Sequence, residues 1–159
     1  MNILEFAINM EKEGEIFYRI LADKNKENGL HVVFAALADD EKNHAEILSG
    51  FFKDKTIALS DSNLSGSGGV FKNQLKNDDI KQELNQLDTY RDALAKEQES
   101  IDLYRSFLDK SNDIRDTKLF GYLIEQEEIH YSTIEDIIYH LEKAESWVES
   151  PEFGVREDY

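Results

Sequence analysis

The chain repeats itself at a fixed distance. When the sequence is shifted by 86 residues, one pair of apolar-periodic segments aligns with a second pair without a gap. The matching residues are Ala7/Ala93, Glu11/Glu97, Glu13/Glu99, Tyr18/Tyr104, Arg19/Arg105, Phe34/Phe120, Leu37/Leu123, Glu41/Glu127 and His44/His130. Because self-similarity at one period is the signature of a duplicated structural unit, we expect two equivalent hairpins related by a pseudo-twofold axis.

The four segments have apolar residues at the 3.6-residue period of an amphipathic helix. They predict helices from about Asn2 to Lys26, from Leu30 to Lys53, from Asp79 or Glu83 to Lys110, and from Asp116 to Ser146 or Trp147. Asn2 is the expected N-cap, because a short polar side chain there can accept a hydrogen bond from the first turn. Asn28-Gly29 and Ser111 to Asp113 supply the breaks within the two pairs.

The links between these helices are short, long and short. Short links make antiparallel hairpins, and the long central link, with its Ser/Gly-rich loop over residues 56–69, can cross the end of a bundle. This pattern predicts an all-α, ferritin-like four-helix bundle with one long crossover between helices 2 and 3. We expect the bundle to occupy residues 1–147 and a C-terminal tail to occupy residues 148–159.

Each predicted helix has a glutamate in the middle of its apolar stripe. These glutamates are Glu11, Glu41, Glu97 and Glu127, and helices 2 and 4 add His44 and His130 three residues later on the same face. Four ionised carboxylates in a bundle core would repel one another, and each would carry a desolvation cost of several kcal/mol. Protonation is one remedy, and two divalent cations are a better one because their charges cancel all four.

One glutamate from each of two helices and Glu-x-x-His from each of the other two is the ligand set of bundle-core di-iron and di-manganese sites. Mixed carboxylate and imidazole donors suit iron or manganese better than a structural zinc. A single Glu-x-x-His would be weak evidence, but two of them at equal displacement favour a metal site. The alternative interpretations are that the pattern is a coincidence or that the protein is a degenerate relative of such metal proteins that binds no metal.

These residues carry a resemblance to a known family. The segments Met10 to Tyr18 and Asp40 to Glu46 are typical of the first two helices of rubrerythrins, in the ferritin-like superfamily, and the likeness covers residues 3 to about 145. It implies two iron ions, with manganese as the alternative. The four stripe glutamates would then include the bridging carboxylates, and His44 and His130 would cap the metals. Family members commonly react with hydrogen peroxide or dioxygen when both irons are ferrous.

The sequence departs from the rubrerythrin pattern in two places. Rubrerythrins usually carry a further glutamate one turn after the third-helix ligand, and Ser100 stands there instead. The ligand set is therefore as symmetric as that of bacterioferritin, which makes peroxidase activity less certain. The sequence also has no cysteine, so it contains no rubredoxin-like domain. Reduction would need an external electron donor such as a rubredoxin-like protein.

Other polar residues near the stripes have two interpretations. Tyr18 and Tyr104 follow their glutamates by seven residues, and they either pack in the core or donate hydrogen bonds to ligand carboxylates. Asp40 and Gln126 precede ligands and are candidates for orienting a histidine. We expect His31, His140 and the exterior glutamates to lie on the surface.

Charge and composition argue against nucleic-acid binding and against a membrane-spanning protein. Asp and Glu number 34 against 18 Lys and Arg, and a net charge of −16 disfavours nucleic-acid binding. No apolar run approaches the roughly 20 residues that a membrane span needs. We expect a cytoplasmic homodimer that does not bind membranes.

Three functions fit the sequence. The first is a di-iron oxidoreductase that reduces peroxide or dioxygen by cycling between diferrous and diferric states. The second is a ferroxidase or iron-handling protein of the bacterioferritin type. The third is a non-catalytic metal-binding bundle.

Overall fold

The computed structural model describes residues 2–52 and 85–149, and these residues contain helices and no strands. The four helices are α1 (Ile3–Lys24), α2 (Leu30–Phe52), α3 (Leu87–Lys110) and α4 (Ile114–Glu149). The chain divides into two compact units, Met1–Leu75 and Lys76–Tyr159, and each contains one helical hairpin. The predicted all-α class with four long helices is confirmed.

Helix α1 begins where its capping residue predicts. The backbone N–H of Glu5 donates to Asn2 Oδ1 at 2.8 Å, and the Glu5 carboxylate accepts from the backbone N–H of Asn2 at 3.3 Å. This reciprocal pair is a capping box, which satisfies two of the amide groups that have no partner in the first turn. The predicted N-cap is therefore confirmed.

The turn between α1 and α2 is built from asparagine side chains. Asn25 is 1 % exposed, and its amide nitrogen donates to the carbonyl of Leu21 at 2.7 Å while its oxygen accepts from Asn28 at 2.9 Å. His31 Nδ1 donates to the Ala22 carbonyl at 2.7 Å. These bonds occupy carbonyl groups of the last turn, so α1 ends at Lys24 rather than at the predicted Lys26.

An aromatic pair holds each hairpin together. In the first, Tyr18 of α1 stacks on Phe34 of α2 with ring centroids 6.3 Å apart and planes at 11°. In the second, Tyr104 of α3 stacks on Phe120 of α4 at 6.2 Å and 21°. All four rings are buried. The repeat read from the sequence is thus present as a repeated contact.

The second hairpin differs from its predicted boundaries at three places. Helix α4 begins at Ile114, two residues before the predicted Asp116, because the Asp113 carboxylate accepts from the Arg115 amide at 2.9 Å and caps the helix there. Helix α4 also continues to Glu149, beyond the predicted end at Ser146 or Trp147.

Helix α3 begins at Leu87, and the preceding residues 85–86 form a turn, so a helix running unbroken from Asp79 or Glu83 is wrong. Residues 79–84, the loop over residues 56–69 and the tail from residue 150 lie outside the described residues. The division into a bundle and a tail stays a prediction.

Asn25 offers a test of this architecture. Replacing it with alanine removes one buried and one partly buried hydrogen bond, and we expect the free energy of unfolding to fall by about 1–3 kcal/mol in urea denaturation. Asn112 lies exposed in the equivalent link of the second hairpin. Its replacement by alanine should change stability by about 0.5 kcal/mol or less. Equal effects of the two substitutions would contradict a structural role for Asn25.

Candidate metal centre

Three ligand-type side chains meet inside the first hairpin. Glu11 projects from α1, and Glu41 and His44 lie one helical turn apart on α2. Each offers one oxygen or nitrogen atom, and these atoms lie within 4.8 Å of one another. His44 Nδ1 is 3.4 Å from Glu11 Oε2. We call these three residues the first triad.

The second hairpin brings together the equivalent residues. Glu97 comes from α3 and Glu127 and His130 from α4, and their ligand atoms also lie within 4.8 Å of one another. His130 Nδ1 is 3.5 Å from Glu127 Oε2 and 3.6 Å from Glu97 Oε1. These residues form the second triad. All six sequence-predicted residues therefore lie in two clusters of the same composition.

Burial makes the triads costly without a counter-charge. None of the six residues is more than 5 % exposed, and both histidines are fully buried. A buried carboxylate loses solvation worth several kcal/mol, and two carboxylates in one small volume also repel each other. A cation bound between them compensates for both effects.

The donor atoms fit a metal ion. Ligand atoms about 2.1 Å from a common ion lie roughly 3.0–3.4 Å apart at tetrahedral to octahedral angles. The separations of 3.4–3.6 Å between Nδ1 and the carboxylate oxygens are close to that range. They exceed the 2.7–3.2 Å of a good hydrogen bond. Carboxylate oxygen and neutral imidazole are the donors that iron and manganese take.

Gly14 is a residue of this region whose role the sequence alone did not reveal. It lies one turn after Glu11 on α1, and a Cβ atom built on it would be 2.7 Å from Glu41 Oε2. The sequence signal for this role is a glycine inside a predicted helix on its apolar stripe, because such a glycine often has a packing reason.

The remaining candidates lie in different surroundings. Tyr18 and Tyr104 are buried in the aromatic stacks, so core packing is observed, and a hydrogen bond from either hydroxyl group to a ligand stays a prediction. Asp40 and Gln126 are also buried, and their part in orienting a histidine stays a prediction. His140 is exposed and packs edge-on against Tyr139, with ring centroids 5.5 Å apart.

Within residues 2–52 and 85–146, the glutamates outside the triads are exposed or partly exposed, as expected. Glu15 pairs with Arg19 at 3.3 Å and Glu128 pairs with Arg105 at 2.9 Å. Arg19 also contacts Asp39 at 2.6 Å, and this hydrogen bond raises the pKa of the guanidinium group. Ion pairs as exposed as these add little to the stability of the fold, so the main effect of these charged side chains is to keep the surface hydrated.

The fold and the two triads define a class, namely helical proteins with buried Glu–Glu–His clusters that could hold metal ions. A comparison with protein families identifies the family. The family model described as Rubrerythrin matches residues 2–138. The chain therefore belongs to the rubrerythrin family, and the predicted family and ferritin-like four-helix fold are confirmed. Comparisons with curated proteins and with solved structures gave no match. None of the described helices has the length and hydropathy to cross a membrane.

Glu127 and its neighbour Glu128 provide a matched test of the second triad. Glu127→Gln keeps the side-chain shape but removes a charged donor from a buried cluster. We expect the metal content after loading with Fe²⁺ without oxygen to fall to about half of the wild-type value or less. An ion at a hundred times its Kd stabilises a protein by about 2.7 kcal/mol, so the metal-induced rise in melting temperature should also shrink.

The control for that test is Glu128→Gln. Glu128 is half exposed and forms an ion pair with Arg105 on the surface, so its loss should change neither measurement. Full metal content in Glu127→Gln would exclude this residue as a ligand.

Proposed function

We propose that this protein is a non-haem di-iron oxidoreductase that reduces hydrogen peroxide or dioxygen. The observation that carries the proposal is the pair of buried triads, which repeat the same three donor types in both halves of a rubrerythrin-family chain. In this proposal, the two triads together supply the protein ligands of two iron ions.

Charge balance supports one ferrous ion per triad. Two carboxylates carry −2 and a neutral imidazole carries none, so one Fe²⁺ brings each triad to neutrality. Without the ion, each hairpin would hold two buried negative charges or would need to bind protons. Iron and manganese both accept this donor set, and the family favours iron.

Bound iron would supply the redox chemistry. Two ferrous ions held by the triads would supply two electrons, which with two protons are what the reduction of one H₂O₂ to two H₂O needs. The six triad residues would hold the ions in the buried interior and balance their charge. The apolar neighbours Leu37, Ile101 and Leu123 are buried on the same helices and limit the access of water.

Electrons for a second turnover would come from elsewhere. Cysteine is absent from these 159 residues, so they contain neither a thiolate reductant nor a four-cysteine iron site. We propose an external carrier, such as a rubredoxin-like protein. We propose a cytoplasmic homodimer as the working form.

A specific observation favours ferroxidase action as the second candidate. Ser100 stands where many rubrerythrins have an additional glutamate, and its hydroxyl group donates to the Lys96 carbonyl at 3.1 Å. Each triad therefore has the same three donors and no fourth carboxylate from this position. Such a symmetric set is similar to that of bacterioferritin, which oxidises Fe²⁺ and passes the product on.

The choice of oxidant separates the two candidates. Protein loaded with Fe²⁺ in the absence of oxygen is mixed with H₂O₂ or with air-saturated buffer, and the rise of ferric absorbance is followed by stopped flow. A peroxide-reducing enzyme should oxidise at least tenfold faster with H₂O₂, whereas faster oxidation by air would favour the ferroxidase.

Size-exclusion chromatography adds an independent result. A dimer agrees with the first proposal, whereas a large cage would favour iron storage. A protein that binds metal but reacts with neither oxidant would be a non-catalytic metal-binding bundle.

A further inference from the structure

We propose that Gly14 is a positioning residue for the metal centre, because only a residue without a side chain lets the Glu41 carboxylate lie against α1. The inference rests on the proposed function in one respect, namely that the triads bind metal. It adds that the two repeats, although identical in their ligands, hold their second glutamates differently.

The geometry at Gly14 is tight. A Cβ atom there would lie 2.7 Å from Glu41 Oε2, 3.1 Å from Cδ and 3.4 Å from Cγ. Real Cβ atoms almost never approach another heavy atom to less than 3.0 Å. The end of the Glu41 side chain thus lies against the backbone of α1 at Gly14, one turn after Glu11. Residues one turn apart share a face of the helix, so the Glu41 carboxylate lies on the same face of α1 as Glu11.

A glycine at position 14 lowers the stability of α1, so its presence there calls for a structural explanation. Glycine in a helix interior lowers helix stability relative to alanine, because the unfolded chain has more freedom to lose. Gly121 in α4 shows the contrast, since a Cβ atom there would meet nothing within 4 Å. Space alone would allow alanine at Gly121, but at Gly14 the ligand occupies that space.

The equivalent position in the second repeat is not glycine. Shifting Gly14 by the repeat length gives Ser100, which is buried and turns its hydroxyl group back to the Lys96 carbonyl. On this proposal, the Cβ atom of Ser100 occupies space that is left open at Gly14, so Glu127 would lie farther from α3 than Glu41 lies from α1. The two triads would then differ in shape, and the ions they bind should differ in affinity and ligand field.

A methyl group at Gly14 should affect metal binding more than folding. The atom that it meets is the far end of a flexible side chain, so the carboxylate can rotate away without moving the backbone. A rotated carboxylate, however, no longer points into the first triad. Gly14→Ala thus separates the two properties, whereas Gly121→Ala changes only the helix propensity.

Cobalt provides a probe that is independent of activity. The metal-free protein is titrated with Co²⁺, and stoichiometry and affinity are read from the visible d–d bands and from calorimetry. Wild-type protein and Gly121→Ala should both bind two ions per chain. Gly14→Ala should bind one of the two at least tenfold more weakly, with an altered visible spectrum and no decrease in the melting temperature of the metal-free protein.

A double substitution covers the case in which Gly14→Ala folds poorly. In a Glu41→Ala background the clashing carboxylate is absent, so adding Gly14→Ala should cause no further loss of Co²⁺ binding and should restore any lost stability. Unchanged binding by Gly14→Ala would overturn the inference. So would a double variant that is as unstable as a poorly folding Gly14→Ala.

These outcomes remain distinct from failure of the proposed function. Wild-type protein that binds fewer than two Co²⁺ ions would contradict the di-metal proposal itself. Wild-type protein that binds two, together with a Gly14→Ala variant that binds two equally well, would remove only the role of Gly14.

Discussion

The burial of two carboxylates beside an imidazole inside each hairpin is the constraint on which the rest of the structure depends. Glu11 and Glu41 are as buried as the leucines around them, and Glu97 and Glu127 repeat this arrangement. Helical hairpins can bury such groups only if an opposite charge compensates for the lost solvation or if the carboxylates bind protons, and a shared cation balances both carboxylates of a triad at once. The apolar stripes, the aromatic stacks and the capped turns fix the helices, and the helices hold the charged groups close enough to share a cation.

Duplication explains why the fold and the six ligand-type residues could be predicted from the sequence. Local signals such as the Asn2 capping box and the breaks at Asn28 and Ser111 define the helices, and a repeat of the same residues in both hairpins is far more specific than one Glu-x-x-His. The family match agrees with this interpretation. Periodicity gives the face of a helix on which a residue lies, and that is sufficient to place Glu41 and His44 together.

The features that escaped prediction depend on single contacts. Helix α1 ends early because Asn25 binds the Leu21 carbonyl, and α4 begins early because Asp113 caps it. Neither bond is visible in hydrophobic periodicity, which has a resolution of about one turn. Periodicity likewise does not locate the start of α3 at Leu87, which follows a turn at residues 85–86. The role of Gly14 needed atomic distances, because in the sequence it is only one glycine on a stripe.

The most direct test of the account is to locate the ions themselves. Crystals of the iron-loaded protein can be measured just above and just below the iron absorption edge, because the difference in anomalous scattering between the two reports iron. The account predicts two anomalous peaks per chain, each about 2.0–2.3 Å from donor atoms of one triad. A well-folded, iron-soaked protein with no peak beside Glu11, His44, Glu97 or His130 would contradict it, because the buried carboxylates would then be stable without a cation.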